Sequence, residues 1–395
     1  MNQRFRSAMR FIILMGFVSL FSDIVYEGAR GVAGPFLLQL GASAAVVAFT
    51  AGFGELAGYV LRLFSGYLAD RTKRPWLFTL LGYSFNLFSI PLLAFVWDWR
   101  IAMLLMILER TGKAIRKPAR DSMVSYAAKQ VGPGFGFGIE EALDQIGAVS
   151  GPLILSLILS FKSGELLERY HFGFSILWIP ASISMILLIV GRFLFPRPIE
   201  FEKELTGKSR QSSRLGFEAV LYLVAAGLLA AGFVDFPLMS YHMAKHELFV
   251  SAVVPLLYSI AMGVDAASAI FFGRLYDRLG ITALIASTAL GSLAAPLVFL
   301  AKGRLWIVLG VSLWGISMGA QESVMKAVIA KIIPPEKRGF AYGLLNSVFG
   351  VSWFAGSFAM GLLYQSSLGL MVSLSLLLQL GSVAVMYVLK SRAAV

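Results

Sequence analysis

Charged side chains stand inside apolar runs of this chain, at spacings that put them on common helix faces. Asp23, Glu27 and Arg30 share one face of the first run by i+3/i+4 spacing. Glu55 and Arg62 are seven apart in the second run and share a face with Gly58 and Gly66. Glu109, Arg110 and Lys113 cluster in the fourth run, Glu322 and Lys326 in the tenth, and Asp235 and Asp265 stand singly in the seventh and eighth. A charge at the centre of a membrane helix costs about 2.5–3.5 kcal/mol, so such groups are expected to face a cavity or one another. Glu109 with Lys113, and Glu322 with Lys326, are i,i+4 pairs in the favoured order, and self-neutralisation is their expected role. Asp23, Glu55, Asp235 and Asp265 have no basic residue one turn away on their own helix. Their chemistry is to load and release a proton, and they are the coupling candidates, led by Asp23.

The elements that must hold these groups are membrane helices. The 395 residues are 58% hydrophobic and 14% charged, where soluble domains average roughly 45–50% and about 25%. A net charge of +12 raises the question of nucleic acid, but the Lys and Arg residues lie mainly in turns between apolar segments, which excludes it. The absence of cysteine excludes disulfides and thiolate-bound metal. Arg4, Arg6 and Arg10 precede an apolar run that continues to Phe36, too long for a signal-peptide core, so it reads as a retained first helix.

With about 20 apolar residues per crossing, the reading is an all-α integral membrane protein. About twelve spans lie near 10–34, 44–69, 75–97, 101–125, 135–160, 173–195, 216–241, 249–274, 280–301, 304–330, 339–364 and 368–390. The polar segment 196–215 divides the chain into a six-helix bundle over 1–195 and a second over 216–395. One side collects most of the basic residues, while the other receives Arg100, Lys162, Arg169, Lys245, Lys302 and Arg304. The positive-inside rule then makes both termini and the linker cytoplasmic.

Two charged stretches repeat once per half. Gly66-Tyr67-Leu68-Ala69-Asp70-Arg71-Thr72-Lys73-Arg74 reads as a short turn between two spans, and Gly273-Arg274-Leu275-Tyr276-Asp277-Arg278 echoes it. Gly138 and Gly151 in the fifth span match Gly343 and Gly356 in the eleventh at identical spacing, so the halves read as parallel repeats. The charged stretch resembles the signature loop between the second and third helices of the major facilitator superfamily, and its echo stands where that family carries a weaker copy. Thr72 and Lys73 occupy the motif's variable and glycine positions. The resemblance implies a latch that holds the cytoplasmic side shut, carried by Gly66, Asp70, Arg71 and Arg74, with Gly273, Asp277 and Arg278 in the second copy.

The resemblance extends along the chain. Gly138, Gly147, Gly151 and Pro152 resemble the antiporter motif of facilitator exporters, with Leu155 and Ser156 where further glycines would stand. Arg110 resembles the embedded arginine of the fourth helix, proposed in that family to take part in proton transfer. Arg116 and Arg120 belong to a run resembling the cytoplasmic end of helix four, and are expected to pair with Glu140, Glu141 and Asp144. Pro334-Pro335-Glu336-Lys337-Arg338-Gly339 resembles the turn between helices ten and eleven.

Other motifs carry no chemistry. Gly315-Ile316-Ser317-Met318-Gly319 spells a nucleophile elbow but lies inside an apolar helix, with no strand before it. Gly112-Lys113 is followed by Ala114 where a phosphate loop needs a hydroxyl. His171, His242 and His246 fall in or beside external turns and are expected to be solvated rather than metal ligands. No catalytic residue, cofactor or metal is expected.

The expectation is a secondary active transporter in the cell's inner (plasma) membrane, multi-pass and monomeric. It would move a small amphipathic organic molecule by alternating access, most simply by proton-coupled export. Tyr26, Glu27, Arg30, Tyr59, Arg62, Trp314, Glu322 and Trp353 are candidate cavity residues. Proton-coupled uptake or exchange of an organic anion is the alternative, favoured by Arg30, Arg62, Arg110 and Lys326. A non-transporting membrane sensor or lipid-handling protein is the rival from another class, for which the sequence supplies neither an extra soluble domain nor a nucleophile with its base.

Overall fold

Apolar runs with few β-branched clusters and no water-facing stripe can satisfy their backbone only as helices once water is absent. The computed structural model describes residues 3–131, 133–201, 217–332 and 338–392, and the described residues hold no strand. The helices are α1 (Gln3–Gln39), α2 (Ala44–Thr72), α3 (Pro75–Leu92), α4 (Trp99–Val131) and α5 (Pro133–Phe161). Then come α6 (Leu166–Ile176), α7 (Trp178–Leu194), α8 (Phe217–Gly232), α9 (Phe236–Lys245) and α10 (Val253–Leu279). The chain ends with α11 (Thr282–Gly291), α12 (Ala294–Phe299), α13 (Arg304–Ile332), α14 (Arg338–Ser366) and α15 (Leu368–Arg392).

Among the described residues, 10 helical segments are long and apolar enough to cross a membrane, counting α6–α7, α8–α9 and α11–α12 as one segment each. Helices α4 and α13 are not among them, although the sequence reads both as spans; α4 carries Arg100, Glu109, Arg110, Lys113 and Arg116 between its start and its middle turns.

Three sequence expectations are corrected. The stretch from Gly66 to Thr72 is not a turn: it forms the last two turns of α2, and the chain reverses only at Lys73 and Arg74. Its echo likewise completes α10, reversing at Gly280. Neither stretch contains proline, so the helix runs on through its charged residues. The seventh span falls within one candidate crossing, Phe217–Lys245, but its helix is interrupted: α8 stops at Gly232 and α9 starts at Phe236. Pro237 lacks an N–H and occupies the first turn of α9, where that loss is tolerated, and Asp235 before it is extended at φ −72°, ψ 142°. Finally, His171 and His242 are buried rather than solvated. His171 Nε2 lies 2.8 Å from the Val96 carbonyl, and His242 Nδ1 lies 3.0 Å from the Tyr364 hydroxyl.

The chain forms two compact units. The first holds residues 1–32 and 57–207, and the second holds 33–56 and 208–395. In the first unit, α1 and α5 meet through glycines: a Cβ on Gly151 would stand 2.5 Å from the Ile24 carbonyl and 2.8 Å from the Gly28 nitrogen. Gly82 and Gly112 let α3 and α4 approach until each glycine faces the other's backbone. Small residues at such contacts are what allow helices to pack closely without a hydrophobic driving force.

The second unit repeats the scheme. Gly356 of α14 abuts the Ala231 carbonyl of α8, as Gly151 abuts Ile24 in the first unit. Gly315 and Gly319 of α13 lie against Ala261 and Asp265 of α10. Residues 33–56, the end of α1 and the start of α2, belong to this unit and seat on α9 and α14. Gly34 meets Pro237 and Ser240, Gly52 meets Phe354 and Ser357, and Gly361 takes Ala48. Phe49 stands edge-on to Phe354 and Phe358, with ring centroids 5.8 and 5.9 Å away.

Candidate functional site

In the first unit, α1, α3, α4 and α5 bring a group of charges together. The face of α1 carrying Ser19, Ser22, Asp23, Tyr26 and Glu27 is buried throughout. Lys113 extends from α4 with its Nζ 3.7 Å from the centroid of the Tyr26 ring. A cation over an aromatic face is stabilised by the ring quadrupole, most strongly where water is scarce. One turn on, the fully enclosed Arg116 donates to Ser22 Oγ at 3.2 Å and lies 4.1 Å over the Tyr83 ring. A further turn on, Arg120 pairs with Glu140 of α5, and the same carboxylate oxygen accepts from Ser19 Oγ at 3.0 Å. Arg120 also lies 3.3 Å from Asp121.

Asp23 differs from its neighbours. It is 2% exposed and, among the described residues, makes no hydrogen bond or ion pair. Its electrostatic partners are Asp144, Lys113, Glu27 and Arg116, two acids and two bases. Glu27 lies 3.9 Å from Arg30 on its own helix. Glu109 turns to α3, accepting from Asn86 Nδ2 at 2.6 Å, and lies 3.3 Å from Arg110, rather than pairing with Lys113 one turn on. The i,i+4 spacing permits that pair, but the Asn86 amide and the Tyr26 ring take the two partners in different directions. On α2, Arg62 packs 5.1 Å from the Tyr59 ring, and Ser65 Oγ donates to the Ala114 carbonyl of α4 at 2.9 Å.

The second unit centres on the break between α8 and α9. Breaking a helix in an apolar interior leaves carbonyls without partners, and here side chains from other helices supply them. The Gly232 carbonyl accepts from Ser375 Oγ at 2.6 Å and Gln379 Nε2 at 2.9 Å, both on α15. The Val234 carbonyl accepts from Trp314 Nε1 of α13 at 2.8 Å. Asp235, 2% exposed, accepts from Trp353 Nε1 at 2.6 Å through one oxygen and from Ser357 Oγ through the other. Phe233 stacks on Trp314 at 5.5 Å and stands edge-on to Trp353 at 5.4 Å.

The remaining candidates are dispersed. Asp265 is buried on α10 with Oδ1 beside Gly319 of α13, Glu322 is exposed on α13, and Glu55 is half-buried in the part of α2 that joins the second unit. Arg71 is exposed and donates to Tyr67 Oη at 3.3 Å, and Arg74, Arg274 and Arg278 are exposed. Gly273 has only Ser323 nearby, at 3.9 Å from where its Cβ would stand. Helix α5 carries Pro152 without interruption, with Gly147 against the Leu20 carbonyl and Asp23 Cβ. The side chains at Gly66, Asp70, Gly138, Glu141, Asp277 and Lys326 lie outside the described residues. Pro334–Lys337 lie outside them altogether.

Sequence reasoning passed over Tyr83, Asn86, Ser357, Ser375 and Gln379. A signal existed for Trp353 and Ser357, whose i,i+4 spacing puts an indole N–H and a hydroxyl on one face of an apolar helix.

A family model for the major facilitator superfamily matches residues 12–357, and a second match covers 221–393. The chain belongs to the major facilitator superfamily. An uncharacterized protein of Mycobacterium tuberculosis is 35% identical over 388 residues, spanning 97% of this chain and 94% of that one. An uncharacterized transporter of the superfamily's type from Methanocaldococcus jannaschii is 24% identical over 375 residues, covering 93% and 91%. Among solved structures, a point mutant of the nucleoside transporter NupG has a TM-score of 0.76 at 13% identity, covering 96% of this chain and 99% of that one. A POT family transporter in complex with 5-aminolevulinic acid has 0.71 at 15% identity, covering 97% and 96%. At such identities these likenesses speak for the superfamily fold.

Proposed function

We propose that this protein is a secondary active transporter that exports a small amphipathic organic molecule in exchange for protons. The observation that carries the reading is Asp23, enclosed at the centre of α1 without a hydrogen-bond donor among the described residues, in the company of Glu27, Asp144, Lys113 and Arg116. Glu27 and Asp144 oppose a charge there, and Lys113 and Arg116 favour one. A change in the distance to Lys113 or Arg116 between states shifts that balance, so proton loading biases which side is open. Alternating access then proceeds by two six-helix halves, 1–195 and 216–395, joined by the linker 196–215. Twelve spans in the inner (plasma) membrane, both termini cytoplasmic, and a monomer complete the reading. Asp70, Arg71 and Arg74, with Asp277 and Arg278, serve as the cytoplasmic latch, and Arg116 and Arg120 with Glu140 fasten the same side.

A second reading, proton-coupled uptake or exchange of an organic anion, draws on Lys113, a buried cation whose ammonium lies over the Tyr26 ring. The two part in proteoliposomes with a pH-sensitive dye trapped inside. Proton movement opposite to an added cationic amphiphile supports export, movement in step with an organic anion supports the second reading, and silence across a broad panel of both overturns proton coupling.

A further inference from the structure

The break between α8 and α9 has no counterpart in the first unit. Where Gly356 abuts Ala231, Gly151 abuts Ile24, and counting along both helices from those contacts aligns Asp235 with Gly28, Trp353 with Ala148 and Ser357 with Pro152. The first half therefore has neither the acid nor the two donors, and its α1 runs unbroken through Gly28. The second half has all three in contact.

Trp353 and Ser357 are one turn apart on α14, and they bind different oxygens of one carboxylate. A carboxylate gripped at two points fixes both the rotation and the axial register of the helix that grips it. Charge-assisted hydrogen bonds of this kind are roughly twice as strong as neutral ones. Asp235 also precedes the first turn of α9, so it ties that turn to α14.

Those tied elements are the ones that receive residues 33–56. Ser357 meets Asp235 through its hydroxyl, and its Cβ would lie 2.9 Å from a Cβ placed on Gly52. Pro237 and Ser240, in the first turns of α9, receive Gly34. Both landing points depend on the geometry that Asp235 sets.

We infer that Asp235 is a positioning residue that fastens α9 to α14 and thereby builds the seat on which the α1–α2 hairpin closes. The inference rests on the alternating-access reading only for its use in transport; the fastening itself is independent of substrate and of proton coupling. A larger or looser seat opens the hairpin.

The chain has no cysteine, so a single introduced thiol reports without background. Val47 is fully buried in the hairpin, and Val47→Cys removes volume rather than adding it. The test follows labelling of that thiol by a hydrophilic maleimide in purified, detergent-solubilised full-length protein, without substrate or pH gradient. Asp235→Ala should speed labelling about tenfold, the worth of a charged hydrogen bond released. Trp353→Phe and Ser357→Ala should each speed it by less, and Asp235→Asn, which keeps one acceptor, should fall between wild type and Asp235→Ala. Trp353→Phe and Ser357→Ala keep most of the packing volume, so they report even where Asp235→Ala fails to fold. Unchanged labelling in both mild variants overturns the fastener, whatever transport does. Faster labelling in a protein that moves no solute upholds the fastener and counts against the transport reading alone.

Discussion

Lys73 and Gly280 close corresponding turns of the two repeats, and both have positive φ, 53° and 60°. Gly280 has ψ −143°, a combination open in practice to glycine alone. Gly280→Ala should therefore lower the thermal midpoint in detergent, by the equivalent of about 1–3 kcal/mol. Lys73→Gly should change it by less than about 1 kcal/mol, because relief of the left-handed lysine is offset by a more flexible unfolded chain. Equal effects of the two substitutions would refute this account of the turns.

Gly151 and Gly58 make opposite demands. A side chain on Gly151 meets the Ile24 carbonyl at 2.5 Å, whereas nothing stands within 4 Å of a Cβ on Gly58. Gly151→Val should cost at least the roughly 1–3 kcal/mol of an overpacked core and reduce the folded yield, while Gly58→Ala should be neutral. Size-exclusion profiles of fluorescently tagged variants read both at once.

Most of the helical architecture was legible because apolar length and Gly-rich faces act locally. The charges of α1 and α4 were legible as functional candidates for the same reason, since a charge in an apolar run has to be compensated somewhere. What they pair with was not legible. Glu109 chose Asn86 over Lys113 because the choice depends on how α3 packs on α4 through Gly82 and Gly112, a tertiary fact. The break at Asp235 had a local cue in Gly232 and Pro237, but the carbonyl partners Ser375, Gln379 and Trp314 come from helices far along the chain.

Arg120 and Glu140 are both buried, so removing the charge of Glu140 leaves Arg120 the half-exposed Asp121 at 3.3 Å in place of a buried partner. Glu140→Gln should destabilise the fold by about 3–5 kcal/mol. Replacing both, as in Arg120→Met with Glu140→Leu, should recover most of that loss, since a buried pair is often no better than packed apolar side chains. If the pair also serves as part of a latch, the double variant should regain its thermal midpoint without regaining turnover. Recovery of both would leave the pair a purely structural role.

Asp23 has no donor among the described residues, so its neutral isostere should fold well. Asp23→Asn should hold the thermal midpoint within about 1 kcal/mol of the parent, since no hydrogen bond or ion pair described for it is lost. Function should divide: flux driven by a proton gradient disappears, whereas exchange of labelled for unlabelled substrate, which needs no net proton movement, continues. Lys113→Met supplies the complementary case, because it removes a cation that balances Asp23 and leaves the Tyr26 ring free. It should shift the pH at which gradient-driven flux is half-maximal while sparing exchange. Loss of both activities in Asp23→Asn, or of neither, removes Asp23 as the proton carrier.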